Sequence, residues 1–139
     1  MPQVAARISD EQERWLKDYF RTKSAGAEFI LPWAVDTFFR AISAIKQVFS
    51  ASELKTIVEA YKDVKLLPTD TRASYLALRV QTACDAGVHE RNKASRNSLE
   101  AKIRNLDDTQ ATALMVWASA FWVSRNCTVE NLDEYLQSY

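Results

Sequence analysis

The sequence is poor in the residues that punctuate tight turns. Two Gly and three Pro in 139 residues argue against a β-sandwich or a turn-rich α/β fold and leave a mostly helical protein of one compact domain. Two Cys are too few for a disulfide framework and fit a reducing, cytoplasmic setting. A single His leaves little for nucleophilic or metal chemistry. Neither sign of charge dominates. Eighteen Lys+Arg balance eighteen Asp+Glu, which argues against a protein that holds nucleic acid by bulk electrostatics. No apolar run approaches the roughly 20 residues of a membrane span. The first residues lack the basic-then-apolar order of a secretory signal. There is no Gly-rich phosphate loop and no internal repeat.

What is present is a succession of capped amphipathic segments. Ser9 or Asp10 can start a first helix, with Glu11 and Glu13 beside its positive end and Trp15, Leu16, Tyr19 and Phe20 as its apolar stripe. Ser24 can cap a second, through Phe29, Ile30, Val35, Phe38, Phe39 and Ile42, with Pro32 either kinking it or opening it. Ser50-Ala51-Ser52-Glu53 is a capping box stapled by Phe49 and Leu54, and its helix carries Ile57, Val58 and Tyr61. After Leu66-Leu67-Pro68, Thr69 or Asp70 starts a helix with Tyr75, Leu76, Val80 and Ala83 inward, stopped by Gly87. Residues 88–95 read as a polar loop. Ser95 or Asn97 caps a short helix with Leu99 and Ile103. Asp107-Asp108-Thr109-Gln110, stapled by Leu106, opens a helix with Leu114, Trp117, Phe121 and Trp122, and Thr128 starts a last one with Leu132 and Tyr135. Six or seven helices are expected.

The opening stretch differs in period. Val4, Ala6 and Ile8 alternate with Gln3, Ala5 and Arg7, the pattern of a half-buried β-strand. One strand needs a partner for its backbone groups, and a second copy would provide it. A strand followed by two helices, with Arg7-Ile8-Ser9-Asp10 at the junction and Ser24-Ala25-Gly26-Ala27-Glu28 at the second helix start, resembles the ribbon–helix–helix repressors, the class of the Arc and methionine repressors. The resemblance covers residues 1–48, with 49–139 as a helical extension packed on that module. It implies a homodimer whose paired strands enter the DNA major groove. Gln3, Ala5 and Arg7 then fall on the outward strand positions, where Gln suits adenine and Arg suits guanine. Ser24, Ala25 and Gly26 fall at the helix N-terminus that holds a phosphate. Residues 49–123 resemble helical segments of small uncharacterised proteins of bacteria and their phages.

Catalytic residues are not expected. His89 lies in the polar stretch and reads as a surface side chain. Cys84, His89 and Cys127 lack paired ligand spacing, so neither a metal nor another cofactor is expected. Cys84 reads as a buried side chain, and Asp107 and Asp108 as caps. The run Arg91, Lys93, Arg96, Lys102 and Arg104 faces only Glu100 and reads as a solvated helix face. Trp117, Phe121 and Trp122 read as core. Two functions therefore stand: a non-enzymatic, sequence-specific DNA-binding dimer that regulates transcription, and, alternatively, a phage or mobile-element protein that binds and inhibits a host defence nucleoprotein complex, in the manner of anti-CRISPR proteins.

Overall fold

A computed structural model describes residues 9–20, 22–64, 72–123 and 132–138. The described residues are helical, in the order α1 (Asp10–Phe20), α2 (Lys23–Val48), α3 (Ala51–Ala60), α4 (Ala73–Asp85), α5 (Val88–Arg91), α6 (Arg96–Arg104), α7 (Asp108–Val123) and α8 (Leu132–Ser138). The strand expected over Gln3–Ile8 lies outside the described residues, as do the expected helix starts at Thr69 or Asp70 and at Thr128. No described helix is long and apolar enough to cross a membrane. By its internal contacts the chain divides into two compact units, Met1–Thr37 and Phe38–Tyr139. The division falls inside α2, which contributes to both.

Local chemistry explains most helix starts. Ser9 N–H donates to Gln12 Oε1 at 2.9 Å, and Gln12 N–H donates to Ser9 Oγ at 3.1 Å. That reciprocal pair is a capping box with Gln in the acid's place. The box at Ser50 forms as expected: Glu53 N–H donates to Ser50 Oγ (3.2 Å) and Ser50 N–H to Glu53 Oε1 (2.8 Å). Asp107 and Gln110 form the third, with Gln110 N–H on Asp107 Oδ1 at 2.7 Å. Ser95 caps α6 through Ser98 N–H. Gly87 closes α4 at φ +81°, a left-handed conformation that costs Gly little.

The second unit has one core. Its centre is Ile57, Leu76, Leu99, Leu114 and Met115, all fully buried, with Ile42, Ile45 and Phe49 contributed by the end of α2 and its exit. Helix α4 packs against α3, α5, α6 and α7, and α8 closes on α3. Long-range polar bonds pin the layers together. Trp122 Nε1 donates to the Val58 carbonyl at 2.6 Å, and Tyr135 Oη to the Trp117 carbonyl at 2.7 Å. Lys55 pairs with Asp133 at 2.5 Å, and Ala73 N–H donates to Asp108 Oδ1 at 3.1 Å. Trp117 and Phe121 are buried and Trp122 packs against the core, as expected of this stripe.

Three expectations change here. Residues 88–91 form the short helix α5 rather than loop, because Val88 supplies a buried apolar anchor. His89 rides on that turn with a side chain only 13% exposed, so it is not a surface histidine. Tyr75 was expected inward but is exposed. Its neighbour Leu76 takes the core position, and one helical step of 100° carries Tyr75 off that face.

Candidate functional site

The first unit has a different balance of burial. Among the described side chains of residues 9–37, only Gly26 is buried. A Cβ at Gly26 would lie 2.7 Å from Leu16 Cδ2 and 3.0 Å from Phe20 Cδ2. Gly26 is therefore where α2 takes the side chains of α1, and contact at that distance requires the missing Cβ. Gly26→Val would drive two further methyl groups into Leu16 and Phe20. Overpacking of this kind costs about 1–3 kcal/mol. Hydrogen exchange is expected to show lost protection in α1 with the amides of α3–α7 unchanged.

That contact settles the chemistry at the start of α2. Thr22, not Ser24, fills the cap role, because Ala25 N–H donates to Thr22 Oγ1 at 3.1 Å and Gly26 N–H to the Thr22 carbonyl at 3.2 Å. Lys23 is already helical, so Ser24 lies within the first turn, exposed. Of the three residues expected to hold a phosphate, Ala25 and Gly26 have their amides engaged inside the helix. Gln3, Ala5 and Arg7, the expected base readers, lie outside the described residues.

What the first unit does present is aromatic surface. Trp15 meets Phe20 edge-on at 5.8 Å between ring centroids, and Phe20 meets Phe29 at 5.5 Å. Trp33 follows Phe29 at i+4 on the same helix face. Phe29 is 70% exposed and Trp33 66%, and Trp15 is nearly half exposed. These four rings form an aromatic ledge across α1 and α2. Leu31 and Val35, also exposed, sit another i, i+4 step round the helix. One short neighbour such as α1 cannot cover both faces. The signal was in the sequence: apolar residues over 29–35 occupy more than one helix face, so they exceed a single core stripe.

The second unit holds charge clusters with structural roles. Glu53 is buried, and Lys102 Nζ donates to its Oε1 at 2.6 Å and Ser98 Oγ to its Oε2 at 3.2 Å. Burial pushes its carboxyl upward, but the bonds from Lys102 and Ser50 outweigh that and hold it below the usual carboxylate range. Arg96 bridges Asp85 at 2.8 Å and Glu100 at 2.9 Å, and Arg91 reaches Glu59 at 3.8 Å. Three of the five cations of the basic run are thus paired within the fold. Cys84 is buried, with its thiol pushed up by burial, and Cys127 lies outside the described residues. Among the described residues, no group of three His, Cys, Asp or Glu is placed to hold a metal. No family model, curated protein or solved structure matches this chain.

Proposed function

We propose that this is a non-enzymatic binding protein that takes hold of another protein through the aromatic ledge of α1 and α2. The observation that carries the reading is the contact of Trp15 with Phe20 and of Phe20 with Phe29, with Trp33 one helical turn beyond Phe29 and three of these four rings open to solvent. Contiguous exposed aromatics mark interaction surfaces. Rings of this size supply most of the energy at protein interfaces when they fill a partner's pockets. The second unit is the scaffold that carries this module. An inhibitor that blocks a host nucleoprotein complex by contact is the form of this reading that suits a small phage or bacterial protein.

A DNA-binding dimer of the ribbon–helix–helix kind is the second reading. It is carried by the alternation of residues 3–8. The start of α2 lends it less support, with Ala25 and Gly26 amides already bonded.

Site-specific photocrosslinking separates the two. A photoreactive phenylalanine analogue placed at Phe29, at Trp33 and, as a control, at Arg104 is irradiated in cells that carry the gene natively. Covalent adducts to a polypeptide are expected at positions 29 and 33 and not at 104. Nucleic-acid adducts, with salt-sensitive duplex binding lost in Arg7→Ala, would instead establish the DNA reading. No adduct at either ledge position would overturn the protein-docking reading.

A further inference from the structure

Helix α2 has a second bare face, away from the ledge. At about 100° per residue, Val35, Phe39 and Lys46 fall within about 20° of the line along α2 that passes through Glu28. Phe29 and Trp33 lie about 100° and 140° round from it. Val35 and Phe39 are each nearly half exposed. Phe39 meets Phe38 edge-on at 5.6 Å between centroids, and Phe38 packs on the core, so the exposed ring is held in place. The two ends of the line are charged, an acid at Glu28 and a base at Lys46. Neither has an ion-pair partner among the described residues. Lys46 is partly buried, and that burial alone holds its ammonium below the ordinary lysine value, with no described carboxylate to offset it. The other charged residues of α2, Lys23, Asp36 and Arg40, lie about 80° or more from the line.

These four residues are symmetric about one point. Glu28 and Lys46 are equidistant from Thr37 in the sequence, and so are Val35 and Phe39. A two-fold contact sets a patch against its own copy. With the axis crossing α2 at the level of Thr37, an antiparallel copy sets Val35 against Phe39 and Glu28 against Lys46, each of them twice. A parallel copy would set Glu28 on Glu28 and Lys46 on Lys46, and like charges repel. We infer that α2 is a self-pairing helix, and that a second copy of this chain lies antiparallel along this line. The order acid, apolar, apolar, base is its own complement when reversed, so a copy supplies what each end lacks. A line of about 27 Å on each of two helices buries less than about 1,200 Å² in total, the weak end of specific interfaces. The dimer is therefore expected to dissociate on dilution. It differs from the strand-paired dimer expected from residues 3–8. The paired line and the ledge lie on different faces, so each dimer carries two ledges and can grip a partner twice.

Carbodiimide joins a carboxylate to an amine in direct contact and adds no spacer. On one helix the interval from Glu28 to Lys46 spans about 27 Å, so an amide between these two side chains forms only between copies. The unaltered full chain is cross-linked at high concentration, and the dimer band is digested and mapped by mass. A Glu28–Lys46 link is expected in it. Sedimentation equilibrium over a dilution series is expected to give a monomer–dimer equilibrium. Glu28 is exposed, so Glu28→Lys keeps the fold, which circular dichroism checks. That variant is expected to weaken the dimer at least about tenfold, because two like-charge contacts replace two opposite ones. Phe39→Ser is expected to weaken it as well. A monomer at every concentration, a dimer that Glu28→Lys leaves as tight, or a dimer without the Glu28–Lys46 link would overturn the self-pairing. Photocrosslinking at positions 29 and 33 reads the ledge separately, so either conclusion can fall without the other.

Discussion

Trp117→Ala is expected to cost about 3–5 kcal/mol, the range for truncating a large buried aromatic. Trp117 is 2% exposed and stacks on Tyr135 with centroids 5.2 Å apart. Lys46 Nζ lies 5.8 Å from the centre of the same ring. Removal leaves a void beside Tyr135, which rigid helices fill only in part. Small domains have about 5–15 kcal/mol in total, so a large fraction is lost. Urea unfolding should show a lowered midpoint with an unchanged slope. Trp117→Phe is expected to lose much less, because it keeps the stacked ring and removes an indole N–H that has no hydrogen-bond partner among the described residues.

The second large effect is at Glu53. Glu53→Ala removes the acceptor for Ser50 N–H, Ser98 Oγ and Lys102 Nζ together. The expected loss is about 2–4 kcal/mol, below the top of the range for a buried pair. Lys102 is partly exposed and regains water when its partner goes. Glu53→Gln keeps an acceptor for the Ser50 amide and is expected to lose less. The same residue sets an acid dependence. Its carboxyl titrates lower in the folded chain than in the unfolded one. The stabilisation it gives is therefore present above the unfolded carboxylate value of about 4.3 and is lost as pH falls through the lower folded value. Thermal unfolding of the wild type should weaken over that acid interval more than that of Glu53→Gln, whose side chain does not titrate.

The helical starts were readable where a side chain reaches its own backbone within three residues. Ser50 with Glu53 and Asp107 with Gln110 form as the spacing demands, because capping is local and needs no tertiary help. The cap at Thr22 escaped because Ser24, two residues on, is an equally good cap by residue type, and the packing of Gly26 on Leu16 fixes the register. His89 escaped for a similar reason. A polar stretch gives no sign that Val88 will be drawn into the core and carry its neighbour inward. At the candidate site, the apolar content of residues 15–35 was evident but not its exposure. Periodicity says which residues share a face, and only the fold says whether another element covers it. The ribbon–helix–helix expectation came from the alternation of residues 3–8 together with the Arg7–Asp10 junction and the Ser24–Glu28 helix start, and its strand lies outside the described residues.

Helix α8 has an implication for synthesis. Leu132 is fully enclosed, Tyr135 stacks on Trp117 and bonds its carbonyl, and Asp133 ties back to Lys55. The wall that seals Trp117 is thus translated after everything it seals. On the ribosome, α3 through α7 must wait with that ring uncovered until residues 132–138 have cleared the exit tunnel. The interval is short in residues, but during it the nascent chain displays a second aromatic surface that the finished protein conceals.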